Sequence, residues 1–326
     1  MALSDDEIAS LEATHKRVAV VRSKHNDWEV VYRKPSREEY RRFRKLVDAW
    51  LAAHSKGFTE VEGGGIDVDL GREQPMMIGL MNLAQKCHIA APEDWPAIVS
   101  EHLGSVLDGA TEPDMTWEAV KDILKVRIYP DDYGAGLPAS AGPLLISKAV
   151  APGAVAALAV DYPKTVASVP PGAVDDWGKP IDGLFEIGMA NVRANDRPSV
   201  QRQEVDGGGK ITILIGDSFF TATWALMLDQ FVTGESPNGE IVAIPNRHIV
   251  GFMQIKDLSI VEGITGIIAF ANHFYQQGPG PITRNIYWRH EGKLTLLPTV
   301  VEGTTVRFSP PAEFVEMLNR LHKPGA

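Results

Sequence analysis

A serine closes the run Ile213-Leu214-Ile215-Gly216-Asp217-Ser218, where an acyl-transfer enzyme would place a nucleophile. That chemistry needs a histidine to take the hydroxyl proton, an acid to orient it, and donors for the oxyanion. The chain has no Asp-x-x-His element, and no Gly-x-Asn-Asp block follows Ser218. Gly216 and Asp217 are also ordinary turn residues between apolar strands. The segment reads as a hairpin turn before an esterase.

Polar side chains are more concentrated in Pro245-Asn246-Arg247-His248, between the apolar runs Glu240–Ile244 and Ile249–Ile255. An arginine there can grip a carboxylate or phosphate, and a histidine can change charge near neutrality. With Asp161 these residues form the candidate set for anion sensing or for an enzyme of unrecognised type. The plainer alternative is a turn whose Asn246 and Arg247 satisfy backbone groups. Trp288-Arg289-His290-Glu291 is a weaker candidate of the same kind. The nine histidines include no His-Glu-x-x-His and no Cys/His cluster, so no metal site is expected. Gly63-Gly64-Gly65 and Gly207-Gly208-Gly209 lack the P-loop pattern, and no cofactor is implied.

The chain that must position these groups has 326 residues, 44% hydrophobic and 23% charged, with a net charge of -10. It is long enough for one large domain with an extension, or for two domains. An acidic total argues against a general nucleic-acid binder, which needs a basic stripe to displace counterions. Cys87 is the sole cysteine, so no intramolecular disulfide can form, and it reads as a small buried hydrophobe. The acidic start lacks the pattern of a signal peptide, and no stretch supplies the roughly 20 apolar residues of a membrane span. A cytoplasmic location is expected.

Periodicity predicts an α+β fold: antiparallel sheets with packed helices, not a regular βαβ alternation. Short strands are expected at Arg17–Val21 and Glu29–Tyr32, then helices at Met76–Lys86, Pro92–Leu107, Pro180–Ala194 and Gly263–Gln276. Hairpins are expected for Lys210–Ile215 with Phe219–Leu226, and for Glu240–Ile244 with Ile249–Ile255. The small residues 134–143 make an internal loop. Two echoes, Glu60–Ile66 with Glu204–Ile211 and Ile78–Leu83 with Ile187–Val192, leave room for two related lobes.

Charge is unevenly spread: residues 1–57 carry a net +3 and the remainder a net -13. After Ser36 and Glu39, which form a capping box, Tyr40, Phe43, Val47, Trp50, Leu51 and His54 recur at helical spacing. Arg37, Arg41, Arg42, Arg44 and Lys45 cover much of the remaining helix surface. Residues 1–57 therefore read as a basic N-terminal arm on a 58–326 domain. Arg37, Arg41 and Arg44 are its candidate contacts to an acidic protein partner or to a second copy.

From Phe58 onward the chain resembles the YtpQ-like bacterial family, a domain of unknown function. The likeness rests on Leu80–Cys87, Asp94–His102 and Val126–Tyr133, followed by Val160–Pro163, Asp176–Gly178, Ala190–Val192 and Val242–Arg247. It implies a bacterial or phage protein with an α+β domain and no transferable activity. His248 departs from the acidic residue more usual after the Pro-Asn-Arg turn. The function expected is a non-enzymatic interaction or assembly module, with an enzyme or a small-anion sensor as the alternative.

Overall fold

The computed structural model describes residues 19–22, 28–31, 37–61, 65–71, 75–80, 83–84, 86–87, 90–108, 114–133, 145–163, 165–204, 209–277, 279–302 and 305–321. Residues 134–143, the expected internal loop, lie outside this set, as does Ser36 of the capping box. The chain divides into two units, residues 1–113 and 114–326. Both are built of helices and antiparallel sheets, which makes the protein α+β.

In the first unit, β1 (Ala19–Arg22) pairs antiparallel with β2 (Trp28–Val31). Helix α1 (Arg37–His54) follows, burying Phe43, Val47 and Leu51 at four-residue spacing. Strands β3 (Gly57–Val61), β4 (Gly65–Asp69) and β5 (Met76–Gly79) form an antiparallel meander, and α2 (Trp95–Asp108) completes the unit. One core holds Phe43, Val47 and Leu51 of α1 together with Ile66, Val68, Ile78, Leu83, Cys87, Trp95, Val99 and Leu103. The charge break at residue 57 thus falls inside a single core: the basic helix packs on the segment that follows it. Trp50 Nε1 donates to Ser100 Oγ at 3.2 Å and stacks on His54, while Arg42 donates to the Pro92 carbonyl and lies over Trp95.

Helical spacing predicts a helix from Met76, but residues 76–79 form a strand. Ile78 sits opposite Ile66 in the register with β4, and both are buried, so completing the sheet outweighs the local pattern.

The second unit is organised by a six-stranded antiparallel sheet, which uses β10 (Ser199–Glu204), β11 (Lys210–Ile215), β12 (Glu240–Asn246), β13 (Ile249–Gln254), β14 (Ile286–His290) and β15 (Lys293–Leu297) in the order β10-β11-β13-β12-β14-β15. Its central strands read as continuous apolar runs because both faces are covered. On one face Ile211, Ile213, Ile241, Ala243, Ile249 and Met253 meet helix α6 (Ser259–Gln277) and Phe314 and Met317 of the C-terminal helix (Ala312–Leu321). Helix α6 offers Ile260, Ile264, Ile267, Ile268 and Ala271, an apolar stripe of helical period.

The opposite face presents Leu214, Val242, Ile244, Val250 and Phe252. These pack in one core with the second sheet, in which β8 (Ala154–Asp161) is flanked by β6 (Leu124–Tyr129) and β7 (Ser147–Ala151) and also pairs β9 (Val166–Ser168). The same core takes in α4 (Pro171–Trp177) and α5 (Ile181–Asn195), with α3 (Trp117–Val120) leading into β6. Strands β16 (Thr299–Glu302) and β17 (Thr305–Phe308) form a terminal hairpin, so α7 (Ala312–Leu321) closes the chain.

A hairpin between Lys210–Ile215 and Phe219–Leu226 does not form. Both edges of β11 are occupied, by β10 and β13, and Thr221–Leu226 winds into a 3-10 helix. Nor do the sequence echoes fold alike throughout. Glu60–Ile66 and Glu204–Ile211 both connect paired strands, but Gly79 ends a strand whereas Gly188 lies inside α5. No helix among the described residues is long and apolar enough to cross a membrane.

Two expectations follow from packing. A Cβ on Gly251 would lie 2.4 Å from the Phe270 ring of α6, so the ring rests on the sheet only because residue 251 has no side chain. Gly251→Ala should cost about 1–3 kcal/mol in urea unfolding, with part recovered when Phe270 is also shortened to Leu. Burial pushes the Cys87 thiol up to about 11, against a smaller opposing pull from Lys86. Iodoacetamide at pH 8 should leave Cys87 unmodified in the folded protein and label it fully once unfolded.

Candidate functional site

Lys125 is the second residue of β6, where its neighbours Leu124 and Val126 are core residues, and it is itself only 5% exposed. A buried ammonium is tolerable only with carboxylates around it. Its Nζ donates to Asp161 Oδ2 at 2.6 Å from β8 and makes an ion pair with Asp196 Oδ2 at 2.7 Å, just beyond the end of α5. The Phe220 ring covers it at 4.8 Å. Desolvation works against the charge on Lys125, but its hydrogen bonds to Asp161 and Asp196, together with their negative charges, outweigh it and hold the ammonium above the ordinary lysine value.

Asp196 reaches the serine singled out in the sequence. Ser218 Oγ donates to Asp196 Oδ1 at 2.6 Å and accepts the Phe220 N–H at 3.1 Å, while Trp224 Nε1 donates to the Asp196 carbonyl. The Ser218 hydroxyl therefore shapes the Gly216–Phe220 loop. A lysine held protonated cannot take a proton from it, so a Ser–Lys dyad has no base here.

The Asn246–His248 knuckle grips the same loop from the other side. Asn246 Nδ2 donates to the Phe274 carbonyl at 2.8 Å, and Asn246 Oδ1 accepts the His248 N–H at 2.9 Å. His248 Nδ1 lies 3.1 Å from the Gly216 carbonyl, which can only accept, so Nδ1 carries a proton. Nε2 is then the acceptor for Arg247 Nε at 2.9 Å. Arg247 is 5% exposed and stacks over the Phe219 ring at 4.2 Å, with Arg127 near that ring at 5.6 Å. Asn246 thus satisfies backbone groups, whereas the Arg247 side chain bonds the His248 ring. Asp161 and the Asn246–His248 group are tied through different partners to one loop and share no direct bond among those described.

A separate cleft of about 320 Å³ is lined by Asp229, Val232, Gly234, Ser236, Gly239, Glu240, Arg289, Glu291 and Gly292. The antiparallel register sets Glu240 of β12 opposite Arg289 of β14, and Arg289 Nη1 donates to Glu240 Oε2 at 3.0 Å. Arg289 Nη2 donates to Asp229 Oδ2 at 2.7 Å. Gly239, at φ +76, lies so close to the Arg289 carbonyl that a Cβ would come within 2.0 Å of it. Glu291 and Gly292 both have positive φ, the two-residue I′ turn that a tight hairpin prefers.

On α1, Arg37 and Arg41 are exposed, together with Arg42 and Lys45. Arg44 is not part of that open face: it pairs with Asp48 at 3.0 Å and with Glu60 at 2.7 Å. No group of three or more His, Cys, Asp or Glu among the described residues could hold a metal ion.

Lys125, Asp196, Asp229, Glu240 and Arg127 were not among the residues picked from the sequence. Lys125 carried a readable signal, a lysine inside an otherwise apolar strand. The Glu240–Arg289 pair depends on strand register and left none. Comparison with protein-family models, with curated proteins and with solved structures gives no significant match in any of the three.

Lys125→Met would leave the Asp196 carboxylate, whose side chain is 7% exposed, buried without its cation. It should cost about 3–5 kcal/mol in urea unfolding. Asp161→Asn, at a side chain 32% exposed, should cost about 1 kcal/mol or less. The raised Lys125 value makes the cluster's contribution complete below 10.5 and lost as pH rises through the folded value, so the alkaline fall in stability should be shallower in the methionine variant.

Proposed function

We propose that this chain is a non-enzymatic interaction or assembly module that engages an acidic protein surface through α1. The observation that carries the reading is the exposure of Arg37, Arg41 and Lys45, spaced by four residues along one helix. Residues so spaced lie one above the next and form a single basic row. Tyr40, 47% exposed, stands within the same two turns and adds an aromatic contact of the kind interfaces favour. The opposite side of α1 is committed to the core through Phe43, Val47 and Leu51, so the row is held on a rigid support. Arg44 and Arg42, tied to Glu60, Asp48 and the Pro92 carbonyl, brace the helix and leave recognition to the other three cations.

The YtpQ-like resemblance implies no activity and sits comfortably with this reading. So do the uses found for Ser218 and His248, which hold the Gly216–Phe220 loop, and for Asn246, which bonds the Phe274 carbonyl and the His248 N–H. The acidic surface closest to hand is another copy of the same chain, whose net charge is -10.

Sedimentation velocity at 50 and 500 mM salt, on the full chain and on Arg37→Glu/Arg41→Glu/Lys45→Glu, tests the reading. Fluorescence anisotropy with labelled poly-glutamate serves as a second acidic probe. Self-association or probe binding should appear at low salt, weaken at least tenfold at high salt, and vanish in the triple variant. A wild-type chain that stays monomeric and ignores the acidic probe at low salt, or a triple variant that behaves like wild type, overturns it.

A further inference from the structure

We infer that the Arg289 cleft is a binding site for a small carboxylate that also carries a cationic group, with Asp229 standing on Arg289 where the ligand carboxylate would bind. Arg289 is 7% exposed yet lines the cleft. Among the described residues its guanidinium makes two hydrogen bonds, to Glu240 and Asp229, so three of its five N–H donors remain for a ligand or for water.

The two carboxylates differ in kind. The Glu240 side chain is 3% exposed and fixes Arg289 from within the sheet, because removing either partner strands a buried charge. Asp229 is 79% exposed and reaches the buried Arg289 from the solvent side, so of the two carboxylates it is the one that can swing away into water when a ligand arrives. An incoming carboxylate can take its place on the planar fork.

The rim decides what else the ligand carries. Arg289 and Glu240 cancel, which leaves Asp229 and Glu291 as uncompensated negative charge around the cleft. A phosphate dianion would be repelled there more strongly than a carboxylate. An ammonium or guanidinium on the same ligand would be drawn to the two rim carboxylates once Asp229 is released. A volume of about 320 Å³ is at the small end of ligand sites and suits a molecule of amino-acid size. The site lies in the second unit and stands or falls independently of the basic row on α1.

Calorimetric titration of the full chain with L-lysine, hexanoate, butylamine and inorganic phosphate tests the inference. L-lysine should bind more tightly than hexanoate or butylamine, and phosphate should not bind. Asp229→Asn removes the built-in competitor and should tighten hexanoate by about two- to fivefold. Glu291→Gln should narrow the preference for L-lysine over hexanoate. The double variant Glu240→Leu/Arg289→Met removes both members of the buried pair, so it should stay folded by circular dichroism while losing all binding. The inference is overturned if L-lysine gives no heat with either wild type or Asp229→Asn. Equal affinity for butylamine and L-lysine, or undiminished binding by a folded double variant, overturns it as well.

Discussion

A sheet that is apolar on both faces cannot face water on either, and in the second unit the six-stranded sheet is such a surface. Ile211, Ile213 and Ile241 point to one side, Leu214, Val242 and Phe252 to the other. One face is closed by α6 and α7, the other by the second sheet, α4, α5 and the 3-10 helix Thr221–Leu226. The requirement to cover both faces is met by elements from residues 117–195, together with that 3-10 helix, on one side and from residues 259–321 on the other. It also accounts for Gly251, where the Phe270 ring of α6 comes too close to the sheet for any Cβ.

Two of the buried cations, Lys125 and Arg289, are paired with carboxylates at joints of this sandwich, and both are handled by the same physics. Lys125 joins β6, β8 and the end of α5 through Asp161 and Asp196. Arg289 joins β14 to β12 through Glu240 and reaches Asp229 outside the sheet. In each case one carboxylate is deeply buried and the other partly or largely exposed. The buried partner makes the ion tolerable, and the more exposed one meets it from the solvent side. At Lys125 the surroundings are closed by Phe220, whereas at Arg289 they open into a cleft. That difference, not the charge itself, is what makes Arg289 the more useful binding group.

The two proposed working surfaces are chemically opposite. Helix α1 offers exposed cations on a face the core has no use for, while the Arg289 cleft is rimmed by carboxylates. An interaction module with a small-ligand site in its other unit is a coherent arrangement, and each half is testable alone.

Amino-acid order alone determined the α+β class, most strands and the main helices, because apolar period and turn residues act over a few residues. It also marked a turn at Asn246, Arg247 and His248 between two strands; Arg247 and His248 form it, and Asn246 is the last residue of β12. Asp161 was picked out, but its partner Lys125 and the Asp196 that shares that cation are 36 and 35 residues away along the chain and are brought together only through the fold. Tertiary structure alone decided that Met76–Gly79 is a strand, that Thr221–Leu226 is not, and that the basic helix shares a core with the residues after Phe58. It decided as well that Glu240 faces Arg289 across two strands. Local pattern states which face of a segment is apolar. Which other segment covers that face, and which charges are thereby brought together, is settled by burial summed over the whole unit.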